Sequence, residues 1–290
     1  MARNQPLLIA GATGYGLWPE NTREGAQRCM AAPFDGIEID VQLTADGVVV
    51  AHHDYRLTAD QTRLAGEWIV APSPPIKTLT LAEVRRYDVG RSRPGSAVEA
   101  RYPRREQMDG VAVPTLPELL DVLAAAEGPK RWIYVEIKTD PVASADAPEP
   151  ELVVDAVLRD LDAASWLDRA KIIAFDWRVL RLARERVPAI ETAHLTVWHT
   201  RRGDEHWALP AWFDGCEPSD CGGSDLVAVK AHGGVEWSPR YNDVTPERIA
   251  EAQELGLRVG PWGLSRAADI QRMADLGVFS ATVSGAEAPA

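Results

Sequence analysis

Apolar strand-like runs alternate with amphipathic helical stretches along almost the whole chain, and this rhythm limits the fold more than any single motif. The runs are Leu7–Ile9, Gly36–Val41, Trp132–Ile137, Lys171–Phe175, Glu191–Val197, Val235–Trp237, Arg258–Pro261 and Phe279–Val283. Between them, Glu151–Leu161, Trp177–Arg186, Pro246–Leu255 and Ala267–Leu276 repeat apolar residues at the spacing of one helix face. Thr245 before Pro246 pairs a hydroxyl cap with a first-turn proline, and Gly256 and Gly277 stand where helices stop. Strands that alternate with helices pair in parallel. Eight such units in 290 residues, with no break, suit an α/β closed (β/α)8 TIM barrel better than an open doubly wound sheet.

The expected organisation is one barrel domain over residues 1–290, with insertions at about 54–113 and 200–223. Both insertions follow strand-like segments, so they are expected to wall or cover a pocket, because the loops after barrel strands build the active-site face. The second carries Trp207 and Trp212. A formal net charge of −12 and a pI near 5.0 argue against a nucleic-acid surface, which needs a basic stripe. Cys29, Cys216 and Cys221 match no zinc spacing and are expected as reduced thiols. The polar stretch Met1–Pro6 is too short for a signal peptide, and no apolar run reaches a membrane span of ~18 residues. A cytoplasmic protein without a transmembrane segment is expected, and an oligomer is left open.

In Gly36-Ile-Glu-Ile-Asp-Val41, Glu38 and Asp40 lie two residues apart in a strand and project to the same side. In Tyr134-Val-Glu-Ile-Lys138 the arrangement recurs with Glu136 and Lys138. Three carboxylates among aliphatic residues need a cation to offset their burial. A hard divalent ion with oxygen ligands, Mg2+ or Ca2+, answers that need. A charged network at the barrel mouth with Lys138 as counter-ion answers it too. His52 and His53 follow in Val48-Val-Val-Ala-His-His-Asp54, and only one of them faces the site if that run stays extended.

Taken in order, Pro19-Glu-Asn-Thr22, Gly36-Ile-Glu-Ile-Asp40, Thr44-Ala-Asp-Gly47, His53-Asp54, Pro114-Thr-Leu116 and Val135-Glu-Ile-Lys138 resemble the motif series of the glycerophosphodiester phosphodiesterase family. Phe175-Asp-Trp177, Trp237-Ser-Pro239 and Gly256-Leu-Arg-Val259 followed by Trp262 extend the resemblance over nearly the whole chain. It implies a barrel in which Glu38, Asp40 and Glu136 ligate Mg2+ or Ca2+. It further implies that Lys138 neutralises phosphate charge, that His53 is one of two acid–base histidines, and that Trp262 contacts the glycerol-like part of a small-molecule phosphodiester. The implied reaction releases an alcohol and a phosphomonoester, or a cyclic phosphate. The alternative is a barrel that binds metal and phosphodiester as a sensor.

The chain departs from that family at the first strand. Where the family has His-Arg-Gly eight residues before Pro-Glu-Asn-Thr, this chain has Gly11-Ala12-Thr13. A positioned proton transfer is worth about 10²–10⁴-fold in rate, so the substitution bears on activity; Tyr15 and His52 are the nearest replacements. Toward the C-terminus the family's Thr-Asp reads Val283-Ser284, and its Trp-Thr-Val-Asn reads Trp262-Gly-Leu-Ser265. Leu8-Ile-Ala-Gly-Ala-Thr-Gly-Tyr15 imitates a dinucleotide-binding turn, but Leu17 stands where the third glycine belongs. A smaller use remains: N–H groups of Gly11–Gly16 as a cradle for a phosphate oxygen, with Gly11 as a substrate contact.

Overall fold

The computed structural model describes residues 5–143, 145–197 and 209–284. Eight parallel strands form the barrel wall: β1 (Leu7–Ala10), β2 (Gly36–Leu43), β3 (Trp132–Ile137), β4 (Ala170–Ala174), β5 (Glu191–Thr196), β6 (Glu236–Pro239), β7 (Arg258–Val259) and β8 (Ser280–Val283). All eight fall on the expected runs. Their neighbours are sequential from β2 to β7, while β1 lies between β2 and β8. Closure between β7 and β8 comes from Phe279 N–H to Val259 O (2.8 Å) and Thr282 N–H to Pro261 O (2.9 Å). The wall is thus a (β/α)8 barrel.

Helices α1 (Arg23–Ala31), α2 (Leu116–Ala124), α3 (Pro150–Ala163), α4 (Trp177–Arg186), α5 (Asp225–Ala231), α6 (Pro246–Glu254) and α7 (Ala267–Asp275) follow the strands in turn. Their starts obey local chemistry. Thr22, Thr115, Asp176 and Thr245 each accept a first-turn N–H, and Thr115 forms a capping box with Glu118. Several of the short motifs therefore have a scaffold role as well.

Strand alternation divides the interior. Ile37, Ile39, Val41, Ile133, Val135, Ile137 and Ile172 face outward and bury against the helices. Ile9, Tyr134, Ile173, Ala193 and Leu195 fill the barrel itself. Where the strands begin, Lys171 is fully buried and donates to Glu236 (2.7 and 2.8 Å) and to the Tyr134 hydroxyl (3.0 Å). Arg258 joins Glu236 and Glu191 (3.1 and 2.7 Å). This ionic plug closes the end of the barrel opposite the strand C-termini, which is the stability face of such folds.

The insertion after β2 begins with a hairpin. Thr44-Ala-Asp-Gly47 makes the turn, with Gly47 at φ +74° and its N–H on Thr44 O (3.0 Å). Val49–Ala51 then runs back antiparallel on β2, with Val41 opposite Ala51. Beyond it, strands Arg63–Leu64, Glu67–Trp68 and Tyr87–Asp88 form a small separate sheet over its own apolar cluster of Val50, Leu57, Ile76, Val84 and Val113. Glu106 N–H donates to Leu17 O (2.8 Å) and Arg105 Nε to Tyr15 O (2.7 Å), so the insertion braces the loop after β1. The second insertion divides. Residues 200–208, with Trp207, lie outside the described residues; in the remainder Trp212 and Phe213 bury in the outer layer, Phe213 edge-on to Trp177 of α4 at 5.2 Å. That part packs on the helices. Among the described residues no helix is long and apolar enough to cross a membrane, and the three cysteines are free.

Candidate active site

Glu38 and Asp40 project inward from β2, and Glu136 does so from β3. The register pairs Asp40 with Glu136 directly, so two carboxylates meet across one strand pair. Each of the three residues offers an oxygen, and these atoms lie within 4.8 Å of one another. All three side chains are almost wholly buried. Lys138, two residues past Glu136 on the same face, sits between them, with Nζ 3.0 Å from Asp40 and 2.5 Å from Glu136.

The surroundings sort the three acids. Burial, reinforced by Asp40 and Glu136, holds Glu38 well above the usual carboxylate range, against the Ala12 N–H and Lys138. Asp40 goes the other way. Burial pushes it up, but Lys138, His53 and an Asn21 hydrogen bond outweigh burial and bring it to about 2. Burial raises Glu136 despite Lys138. Lys138 loses basicity to burial and regains more from Asp40 and Glu136, so it stays charged.

Asn21 clasps Asp40 from both sides: Nδ2 donates to Oδ2 (2.9 Å), and the Asp40 N–H donates to Oδ1 (3.0 Å). Its backbone is left-handed (φ +52°), a conformation asparagine tolerates better than most residues. Glu20, beside it, is tied to Arg105 (3.0 Å). The motif Pro19-Glu-Asn-Thr22 thus fixes one acid, one brace to the insertion and one helix cap.

Glu38 has a different neighbourhood. Ala12 N–H donates to its Oε2 (2.8 Å), while its Oε1 is buried with no hydrogen-bond partner among the described residues. An unpartnered buried carboxylate oxygen is costly. In a residue whose carboxylate clusters with two others, it fits a hard divalent cation, whose oxygen donors would be Glu38, Asp40 and Glu136. The Lys138 ion pairs show that the counter-ion network also considered from sequence is present, yet one lysine leaves Glu38 Oε1 unmatched.

The two histidines part company. His52 N–H continues the hairpin ladder to Asp40 O (2.9 Å), after which the chain bends at His53. His52 is buried, its basicity lowered chiefly by burial, and its Nε2 has no partner. His53 is exposed over 56% of its side chain and bonds Asp54 through Nδ1 (2.7 Å). Lys138 depresses its basicity, but Asp40 and Asp54 prevail and raise it to about 9. The bend, which an extended run does not anticipate, places His53 in the field of Asp40 and Lys138. Tyr55 shares that region: burial first, then Asp140, opposed by Lys138, raises its hydroxyl. Sequence reasoning missed it because a tyrosine in a loop carries no pattern.

At the first strand the chain turns sharply. Ala12, Thr13 and Gly14 are consecutively left-handed (φ +42°, +56° and +80°), strained for the two non-glycine residues. The N–H groups of Ala12, Gly14, Tyr15, Leu17 and Trp18 are engaged by Glu38, Gly11 O and Gly14 O. Of the Gly11–Gly16 amides expected to cradle a phosphate, those of Ala12, Gly14 and Tyr15 are therefore already satisfied. A Cβ at Gly11 would lie 3.2 Å from Thr282 Cγ2 and 3.6 Å from Glu38 Oε2, so this position abuts the acidic cluster. Tyr15, weighed as a replacement acid–base group, packs edge-on against Tyr102 of the insertion at 5.2 Å. Trp262 follows β7, packs edge-on against Phe175 at 5.7 Å and donates through Nε1 to Ser238 O (3.2 Å).

The family model for the glycerophosphoryl diester phosphodiesterase family matches residues 11–283. A glycerophosphodiester phosphodiesterase of Caldanaerobacter subterraneus subsp. tengcongensis is 26% identical over 267 residues, covering 90% of this chain and 86% of that protein. Among solved structures, one from Silicibacter pomeroyi DSS-3 assigned to the glycerophosphoryl diester phosphodiesterases superposes with a TM-score of 0.84. It is 33% identical, covering 97% of this chain and 90% of the other. An Oleispira antarctica phosphodiesterase, solved with the product sn-glycerol-3-phosphate, has a TM-score of 0.69 at 17% identity, with 97% and 94% coverage. With the barrel, the inward acids and a match over nearly its full length, this chain belongs to the glycerophosphoryl diester phosphodiesterase family of phosphoric diester hydrolases.

Proposed function

We propose that this protein hydrolyses a glycerophosphodiester-like small molecule to an alcohol and a phosphomonoester, using a divalent cation, Mg2+ or Ca2+, held by Glu38, Asp40 and Glu136. The observation that carries the reading is Glu38 Oε1, buried without a partner beside two more carboxylates. A bound cation would supply Lewis acidity toward a phosphoryl oxygen and the positive potential that an acidic chain lacks. The protein's own groups do the rest. Lys138 stays protonated and neutralises charge that develops on the phosphoryl group. His53, raised to about 9, enters as an acid and donates its proton to the leaving oxygen. Asp54 holds Nδ1, which leaves Nε2 for that transfer. Trp262 offers an aromatic wall for the glycerol-like part.

With Gly11 in place of a second histidine, the group that takes the proton from the nucleophile is not a side chain at that position. In a second route the neighbouring hydroxyl of the substrate attacks phosphorus and gives a cyclic phosphate without a separately positioned water; its proton passes to solvent, and His53 protonates the leaving oxygen as its bond to phosphorus breaks. Phosphorus NMR of the products separates the two routes. The function is tested by alcohol release from glycerophosphocholine and related diesters in Mg2+ or Ca2+, with wild type beside Glu38→Ala. Metal-dependent release by wild type alone is expected; equal background rates from both proteins reject it.

A further inference from the structure

We propose that Arg240, from the opposite side of the barrel mouth, supplies the cationic contact to the substrate's phosphoryl oxygens that Ala12 is too short to make. The proposal rests on the phosphodiesterase reading above and extends it to a residue no motif marks.

Arg240 prolongs β6 by one residue. Its N–H donates to Thr196 O (3.1 Å), and it forms a parallel bridge with Trp262. Side chains along β6 alternate. Trp237 points outward and donates to Thr196 Oγ1 and Asp225, whereas Ser238 points inward and donates to Gly260 O (2.6 Å). Two residues past Ser238, Arg240 falls on the inner face at the strand C-termini. It flanks Trp262 there, on the end of the barrel that also carries Asp40, Glu136 and Lys138.

Its partners, or their lack, give the second observation. Arg240 is half-buried, yet among the described residues it has no carboxylate, carbonyl or aromatic partner. The other buried or half-buried cations there all have one: Arg131 reaches Phe34 O, Arg93 reaches Ile69 O, and Arg169 lies over Trp132. In a chain of net charge −12, an inward-facing arginine with no anion among the described residues is unusual, since buried cations are ordinarily paired. A phosphoryl group is the anion this site is built to receive, and a guanidinium meets two of its oxygens at once. Lys138 and Arg240 then hold the phosphoryl group from opposite walls, and Trp262 fills the gap beside it.

The test uses calorimetric titration of the Mg2+-loaded protein with sn-glycerol 3-phosphate and with inorganic phosphate, comparing wild type, R240M and R240K. A charge-assisted hydrogen bond accounts for about ten- to a hundredfold in affinity. R240M is expected to lose that much for both anions, and R240K part of it, while Mg2+ affinity stays as in wild type. Wild-type anion affinity in R240M overturns the proposal, as does the absence of anion binding by wild type. If wild type binds both anions through Arg240 but cleaves no diester, the phosphodiesterase reading fails and the anion site stands.

Discussion

Replacing Lys138 by methionine probes the charge balance of the site most sharply. Lys138 Nζ lies 3.0 Å from Asp40 and 2.5 Å from Glu136, and its side chain is 15% exposed. Removing one partner of a buried ion pair typically costs about 3–5 kcal/mol, because the remaining charges are left unmatched. At ~2 °C per kcal/mol for a chain of this size, Lys138→Met should melt roughly 6–10 °C lower than wild type at pH 8 without divalent ions. The deficit should narrow as pH falls. Without the lysine the carboxylates bind protons more readily when folded, so acid relieves the variant and not the wild type. Mg2+ at a hundred times its dissociation constant should restore about 2.7 kcal/mol. Differential scanning fluorimetry from pH 8 to 5, with and without Mg2+, reads all of this. A variant melting within 2 °C of wild type throughout, with no response to Mg2+, would show that the three acids do not share a compact charged centre.

His53→Gln should lower the rate of diester cleavage by about 10²–10⁴-fold while leaving the melting temperature nearly unchanged, because the ring is 56% exposed; kinetics and melting together decide it. His52, His194 and His232 are held below the usual histidine range, each mainly by burial. At these three sites the unfolded chain binds more protons, so their contribution should be constant above about pH 6.5 and fall as pH drops below it. His53, raised to about 9, runs the other way, its contribution lost as pH rises from about 6.5 toward 9, so urea denaturation of a His53→Gln background at pH 8, 6.5 and 5 checks the slope. Restoring the family pattern with Gly11→His and Ala12→Arg brings a new Cβ to 3.2 Å from Thr282 Cγ2. Adding Thr282→Ser, which removes that methyl, should raise both turnover and melting temperature above those of the double variant, and unchanged values would refute the steric account.

Much of the barrel was legible because strand runs are short, bounded by caps and stops, and spaced by helices of one apolar face. The carboxylate cluster was legible for a related reason: alternation places Glu38 with Asp40, and Glu136 with Lys138, on single faces before any strand pairing is known. The pairing itself, Asp40 opposite Glu136, is tertiary. The bend at His53 was not legible, since Val48–Asp54 reads as one extended run and the turn depends on Thr44-Ala-Asp-Gly47 bringing the chain back to Asp40. Nor was the small sheet of the insertion. Its two-residue strands owe their place to long-range ties, such as Arg63 reaching both Asp88 and Asp109, and no periodicity precedes such contacts. Arg240 stayed hidden because a lone arginine after a proline has meaning only once its inward face, and the lack of an anion for it among the described residues, are seen.

The central claim is that Glu38, Asp40 and Glu136 together hold a divalent cation. Crystals soaked in Mn2+, a stand-in for Mg2+ with a usable anomalous signal, test it most directly. The account predicts an anomalous peak within coordination distance of oxygens from all three carboxylates, lost in crystals of Glu38→Gln. Strong peaks only elsewhere on the protein, with Lys138 alone neutralising an empty cluster, would contradict it.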